Sequence, residues 1–348
     1  MYRRNLLASF YKTFSILELL DLGCTFVRNY VNMKVTEHIE KAKDCLISFE
    51  ILPPLKGKGI QSLYDHLDPL MEHKPSFINV TYHRSEHVFK KRVDGSFEKV
   101  IVRKRPGTES ICAAIMNKYD VDTVPHLICG GFDVNETENA LINLNYLGID
   151  NVLVLRGDAP KNEASFDPHP QGHAYASDLL AQVMNLNAGI YLEEDLKNNN
   201  KTKFCVGVAG YPEKHFESPN MESDLQYLKM KVDSGADYIV TQMFFDNQKF
   251  YKFRDDCVKM GINVPIIPGL KPVYSIKQLT MLPKIFHIDL PAALSNEIAK
   301  CKTDEAVEQL GAEWLLEQSR DLKKNGVPVL HYYTLGRPNL IADVVGKI

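Results

Sequence analysis

The chain has 348 residues, 45% of them hydrophobic and 24% charged, with a formal net charge of -3. That is enough chain for one large domain or two ordinary ones, and it lacks the overall basicity that would call for nucleic acid as a partner. No run reaches the ~18 apolar residues that cross a bilayer, so no membrane partner is expected. The seven cysteines (Cys24, Cys45, Cys112, Cys129, Cys205, Cys257 and Cys301) are scattered and never form a Cys-x-x-Cys pair, which argues against a disulfide framework or a thiolate zinc site and fits a reducing cytoplasm.

In chain order, Arg3 and Arg4 precede an apolar stretch that Lys12, Glu18 and Asp21 interrupt too early for a signal peptide. Fold-like patterning begins only near Met33. Residues 1–33 therefore read as an N-terminal appendage, outside the native product if Met33 is the true start, and residues 34–348 as one catalytic domain. Eight short, mostly β-branched runs follow, at 45–51, 76–82, 123–129, 151–157, 204–210, 237–243, 264–269 and 329–334. Most are nearly continuous apolar segments, as strands buried on both faces should be. Amphipathic stretches separate them, with Ala140, Leu141, Leu144 and Leu147 on one face of one helix and Leu225, Leu228 and Val232 on one face of another. Gly148, Gly235, Gly261 and Gly326 stand where a glycine ends a helix before the next strand. The alternation predicts an α/β fold of the (β/α)8 TIM-barrel type, with a doubly wound open sheet as the alternative. Asp94-Gly95, between two alternating runs, signals a hairpin inside a basic stretch, 88–105, that holds seven basic and two acidic residues. It reads as a solvated face or, more sharply, as an attractor of polyanions beside the barrel mouth. Residues 194–203 read as a surface loop, and extra helices are expected at 291–300 and 303–325.

In a barrel, polar residues at the C-terminal ends of strands point into the active-site mouth. Here those ends carry Ser48-Phe49-Glu50, Asn79-Val80-Thr81-Tyr82, His126, Arg156-Gly157-Asp158, Tyr211, Thr241-Gln242 and His331-Tyr332-Tyr333-Thr334. Glu50 is the strongest signal, because an unpaired carboxylate inside a strand costs several kcal/mol of desolvation unless something uses it. The bland alternative is a structural salt bridge from Glu50 to Arg156 or Lys231. Other patterns are set aside. His83-Arg84-Ser85-Glu86-His87 matches an inverted zinc-protease motif but follows a strand end and not a helix, and His169 and His173 lack the company of a closed zinc site, so no metal is expected. Gly57-Lys58-Gly59 is no dinucleotide fingerprint.

The strand-end blocks, taken together and in order, resemble methylenetetrahydrofolate reductase. They are Ser48-Phe49-Glu50, Pro53-Pro54, Val80-Thr81-Tyr82, Pro125-His126-Leu127, Leu155-Arg156-Gly157-Asp158, Tyr175-Ala176-Ser177-Asp178-Leu179 and Ala209-Gly210-Tyr211-Pro212-Glu213 with His215. Lys231 to Asp237, Thr241-Gln242-Met243-Phe244-Phe245-Asp246, Ile267-Pro268-Gly269 and Tyr333-Thr334-Leu335 continue the series. The resemblance implies a bacterial-type catalytic barrel with non-covalent FAD. It also implies reduction of 5,10-methylenetetrahydrofolate to 5-methyltetrahydrofolate by NADH or NADPH in two half-reactions, feeding methionine synthesis in the cytoplasm. By the same resemblance Glu50 is the general acid, its pKa raised by an apolar strand, and Asp158 supports the reaction beside flavin and pterin. Thr81, Tyr82, His126, Arg156, Gly157, Asp158, Tyr175, Ala176, Tyr211, His215, Asp224 and Lys231 match FAD contacts. Gln242, Gln278 and Arg337 match folate contacts. The substrate is expected to be a folate, polyglutamylated or not, and the assembly a homo-oligomer.

Asp224 and Lys231 lie seven apart on one helical face, where the alternative is plain helix chemistry: an acid complementing the dipole and a lysine snorkelling outward. Departures from the family pattern are Ala159 for a proline, His83 for a small residue, Phe216 for a proline and Gly336 for an asparagine. At this length the C-terminal domain through which eukaryotic relatives of that family sense S-adenosylmethionine is not expected, nor is that regulation. Competing readings are a flavin barrel of the proline dehydrogenase type, a barrel lyase forming a Schiff base on Lys231, and a folate-binding protein without turnover.

Overall fold

The computed structural model describes residues 32–159 and 165–348. Nearly all of the expected appendage at 1–33, and Pro160 of the Gly157-Asp158-Ala159-Pro160 block, lie outside those residues.

Parallel strands form one ring. β1 (Leu46–Ile51) pairs with β2 (Phe77–Val80), and the order continues through β5 (Asp122–Ile128), β6 (Asn151–Leu155), β7 (Cys205–Gly210) and β8 (Tyr238–Thr241) to β9 (Ile266–Ile267). On the other side of β1 lies β11 (Val329–Tyr333), itself paired with β10 (Gly269–Leu270). β9 and β10 are two halves of one strand broken at Pro268, which has no N–H to give a ladder. The Pro268 carbonyl still accepts the His331 N–H at 3.2 Å, so the ring closes and the open-sheet alternative falls. The strand expected at 264–269 is thus shorter and split; the other seven stand where their apolar runs place them.

Alternation along each strand explains the two layers. Leu46, Phe77, Val124, Leu153, Cys205, Tyr238, Val240, Ile267 and Val329 pack together inside the barrel. Their neighbours Phe49, Ile78, Leu127, Val152, Val206 and Ile239 pack outward against the helices. Those helices are α2 (Gln61–Met71), α3 (Thr108–Tyr119), α4 (Val134–Tyr146), α5 (Ala176–Ala188), α6 (Met221–Asp233), α7 (Asn247–Lys259) and α11 (Pro338–Val345). α8 (Gln278–Phe286), α9 (Ala292–Lys300) and α10 (Asp304–Lys324) fill the interval before β11, as the extra helical patterns there predict. Gly148 (φ +72°) and Gly235 (φ +112°) take the left-handed turn that ends α4 and α6.

The bottom of the barrel is plugged by α1 (Val35–Lys41), whose first turn is capped by strand side chains. Asn151 Oδ1 accepts the Val35 N–H at 2.9 Å, and Asp122 Oδ2 lies 2.6 Å from His38 Nε2. Chemistry is therefore confined to the opposite, C-terminal mouth. The predicted hairpin, β3 (Glu86–Lys91) with β4 (Phe97–Val102), leaves from the β2 end of that mouth. Glu86 and His87 lie on this hairpin and not on a helix, so the zinc-protease pattern is not realised, and no metal-binding cluster occurs among the described residues. Among those residues no helix is long and apolar enough to cross a membrane.

Candidate active site

Register assembles the centre of the mouth. Ser48 lies opposite His331, and Glu50 lies opposite both Tyr333 and Asn79. The Thr81 hydroxyl donates to Glu50 Oε1 at 3.1 Å. Two imidazoles bracket the other oxygen, His126 Nε2 at 3.5 Å and His331 Nε2 at 3.7 Å from Oε2. His331 Nδ1 is in turn 2.8 Å from the Ser48 hydroxyl, and Asn79 Nδ2 is 3.4 Å from His126 Nε2. Glu50 thus belongs to a six-residue polar cluster, largely buried, at the mouth end of the barrel interior, and neither Arg156 nor Lys231 is its partner.

The expectation of a raised Glu50 pKa needs correction. Burial is the largest influence and pushes the carboxyl up, but His126, the contact with His331 and the Thr81 hydroxyl outweigh it, and the group lies below its ordinary value. Burial holds His126 below its own ordinary value as well, with Glu50 pulling the other way. The carboxylate and the imidazole therefore compete for protons inside one low-dielectric space.

A second group forms over β6, β7 and α6. Arg156 makes a forked pair with Glu217 (2.5 and 2.9 Å) and lies 5.2 Å from the Phe166 ring centre. The Tyr211 ring meets His215 edge-on at 4.7 Å, and burial, followed by Asp158 and Asp224, drives its phenol upward. Asp224 accepts the His215 N–H (3.1 Å) and the Ser218 hydroxyl (2.8 Å). Lys231 does not snorkel outward. It is half-buried with Nζ on the Ala209 carbonyl at 2.9 Å, and desolvation lowers its pKa to about 8, with Asp224 opposing. Gly157, at φ +85°, lets the chain turn sharply out of β6 against Ile128, and Asp158 beyond it is exposed.

A third group sits beyond β10 and β11. Gln278 is buried, its Oε1 accepting the Tyr274 N–H at 2.8 Å while its Nε2 has no partner. Arg337 pairs with Glu308 at 3.0 Å and lies 5.1 Å from the Tyr274 ring centre. Gln242, at the end of β8, has its Oε1 fixed by the Met243 N–H at 2.9 Å. Three expected residues stand apart from these groups. Tyr82 packs on Phe132 (5.0 Å) and accepts a hydrogen bond from Arg103 of the hairpin exit. Tyr175 and Ala176 open α5, with the Tyr175 N–H on Asp178 at 3.1 Å and its ring exposed.

Asn79, His331 and Lys271 are the residues that the site reading did not assign. Lys271 is 2% exposed, with Nζ on the Pro272 carbonyl at 2.9 Å and 4.4 Å from the Tyr274 ring centre. Burial lowers its pKa to about 7. The unfolded chain holds that proton to about pH 10.4, so between these values the unfolded state binds more protons and stability rises with pH. Lys271→Met is expected to stabilise the protein at pH 7, by an advantage that shrinks by up to about 1.4 kcal/mol per pH unit toward pH 10. Urea midpoints from pH 7 to 9.5 check this; equal pH slopes for both proteins would show the amine is not buried uncharged.

A family model described as methylenetetrahydrofolate reductase matches residues 34–348. Methylenetetrahydrofolate reductase (NADH) 1 of Arabidopsis thaliana is 33% identical over 316 residues, covering 87% of this chain and 48% of that protein. The 5,10-methylenetetrahydrofolate reductase of Escherichia coli K12 is 31% identical over 297 residues, covering 84% of this chain and 87% of that one. The chain thus spans about half the length of the plant relative (48%) and most of the bacterial one. Among solved structures, a Clostridium thermocellum protein described as binding two copies of 5-methyl-5,6,7,8-tetrahydrofolic acid superposes with a TM-score of 0.54 at 15% identity, over 90% of this chain and 97% of that one. At that identity the likeness speaks for the barrel alone.

Proposed function

The chain belongs to the methylenetetrahydrofolate reductase family, and from that premise we propose that it reduces 5,10-methylenetetrahydrofolate to 5-methyltetrahydrofolate in the cytoplasm, using non-covalent FAD and NADH or NADPH. The observation that carries the reading is the largely buried carboxylate: Glu50 at the barrel mouth, held by Thr81 and bracketed by His126 and His331. Membership sets aside the proline dehydrogenase and Schiff-base lyase readings.

The residues present suit an added dinucleotide. Asn79 Oδ1 and Arg84 Nη2 are buried without partners in this region, an acceptor and a donor left for a polar group from outside the chain. FAD, when bound, supplies a two-electron carrier between nicotinamide and folate. Thr81, His126, Arg156, Tyr211, His215, Asp224 and Lys231 would hold it, with Tyr82, Gly157, Tyr175 and Ala176 shaping the rim.

Glu50 would deliver a proton to the folate nitrogen as the five-membered ring opens to the 5-iminium cation, with His126 and His331 orienting its carboxyl. Asp158, exposed on the rim, would stabilise that cation by its charge. Gln242 and the unpaired amide of Gln278 would orient the pterin end, and Arg337 a carboxylate of the glutamate tail. A longer polyglutamate tail would find the basic hairpin beyond it. The homo-oligomer expected from the family belongs to the same proposal.

The test is an absorption spectrum of the purified protein, followed anaerobically by NADH and then by methylenetetrahydrofolate in one cuvette. Yellow protein that bleaches with NADH and regains colour with the folate is the expected result. Colourless protein that takes up no added FAD would end the proposal, and bleaching without recovery would leave a folate-independent flavoprotein.

A further inference from the structure

Arg84 has no role in the groups above, and its setting is unusual for a guanidinium. It follows Tyr82 and His83 at the root of the hairpin and runs along the Gly130–Gly131 turn at the end of β5. A Cβ placed on Gly130 would stand 3.2 Å from Arg84 Nη1, 3.4 Å from its Cδ and 3.4 Å from the Phe166 ring. The glycine is thus what lets the side chain lie down in this position. Arg84 forms no ion pair among the described residues, and its Nη2 is buried with no hydrogen-bond partner. An unmade hydrogen bond on a buried cationic group is costly, more so than on a neutral one.

The same Phe166 ring has the Arg156 guanidinium 5.2 Å from its centre. Two forked cations therefore gather about one aromatic ring, over the ends of adjacent strands β5 and β6. Among the described residues only Arg156 is neutralised, by Glu217, whose side chain is 41% exposed. Among those residues the pair thus carries an excess positive charge, with Arg84 Nη2 left without a partner, and a guanidinium can meet a phosphate with a fork that a single lysine would not supply.

We propose that Arg84, seated on Gly130 beside the Phe166 ring that Arg156 also meets, is a binding residue for the diphosphate of a dinucleotide. The inference rests on the flavin reading above, and it adds a residue outside the blocks that carry the family resemblance. Two dinucleotides meet at this mouth, and they share the diphosphate. FAD is the expected owner, since Arg156 lies in the group that resemblance gives to that cofactor.

The experiment compares wild type, Arg84→Gln and Arg84→Lys for binding of FAD and of riboflavin, which lacks phosphate, by flavin fluorescence. A second readout is the NADH concentration that half-saturates anaerobic bleaching. Arg84→Gln is expected to weaken FAD at least tenfold, leave riboflavin and the NADH midpoint unchanged, and be partly restored by Arg84→Lys. A raised NADH midpoint with FAD binding unchanged would keep the diphosphate site and assign it to the nicotinamide dinucleotide. Unchanged binding of both dinucleotides, or equal weakening of FAD and riboflavin, would overturn the proposal. Wild-type protein that binds no FAD would instead sink the flavin reading, so the two failures are distinguishable. Thermal midpoints of all three proteins identify any variant that has merely lost its fold, and Arg84→Lys then carries the comparison.

Discussion

Glu50→Gln is expected to separate the two halves of the proposed reaction. Bleaching by NADH should stay within about threefold of wild type, while recovery of colour with methylenetetrahydrofolate slows by about 10²–10⁴, the usual range for loss of a positioned acid. The amide keeps the shape of the carboxyl and an oxygen for the Thr81 hydroxyl, so packing changes little. What it loses is the charge on which the neighbours depend. Glu50 is the one influence that raises His126 against burial, His331 and His83. Without it His126 is held lower still, and no carboxyl remains to deliver a proton. The same charges fix how stability responds to acid. The carboxyl is depressed in the folded state, so its contribution is present above the unfolded value of about 4.3 and is lost as pH falls through the folded value. Glu50→Gln should remove that part of the acid-side loss. Single-turnover traces for each half-reaction decide the matter: equal slowing of both would show that Glu50 is not a dedicated acid.

Much of this arrangement is legible in the sequence, for a physical reason. Strands buried on both faces must be apolar throughout, so each barrel strand announces itself as a short β-branched run, and each polar residue inside one is conspicuous. Glu50 and His126 are visible in that way. Their company is less so. Ser48, Asn79 and His331 follow from the same alternation once the register of β1 against β2 and β11 is known, but register between strands so distant in the chain is not a local property. The error over the Glu50 pKa has this origin. An apolar strand alone argues for a raised value, whereas the two imidazoles that reverse it arrive from β5 and β11. Lys271 escapes notice because a lysine after a strand is ordinarily solvated, and only the packing of Tyr274 beside it shows otherwise. Pro268 could not give an N–H to the ladder, which is readable, yet Pro125 is kept within β5, so the break itself was not; nor was it readable that the His331 N–H would still reach the Pro268 carbonyl.

Gly269→Ala is expected to disturb fold and site together. A methyl group there would stand 2.3 Å from the Thr241 carbonyl oxygen and 2.4 Å from the Tyr333 hydroxyl, well inside van der Waals contact. Those two atoms are bonded to each other at 2.6 Å, and the Gly269 N–H itself donates to Thr241 Oγ1 at 3.0 Å. The glycine thus lies under a bridge from β8 to β11 that spans the short, broken strand between them. Little else stiffens the ring at this point, since β9 and β10 contribute only two residues each. Overpacking of this kind costs about 1–3 kcal/mol, and more where backbone must move. The strain should travel inward, because Gly269 is in register with His331 and the His331 ring meets Tyr333 edge-on at 5.3 Å. Gly269→Ala should therefore lower the urea midpoint and slow the folate half-reaction more than the NADH half-reaction. Adding Tyr333→Phe takes away the hydroxyl but leaves the Thr241 carbonyl and the ring carbon Cε2, 2.6 Å from the added methyl, so it should recover part of the stability and not all. A Gly269→Ala protein with a wild-type midpoint would mean that the strand halves tolerate displacement, and that the bridge over Gly269 does not hold His331 against Glu50.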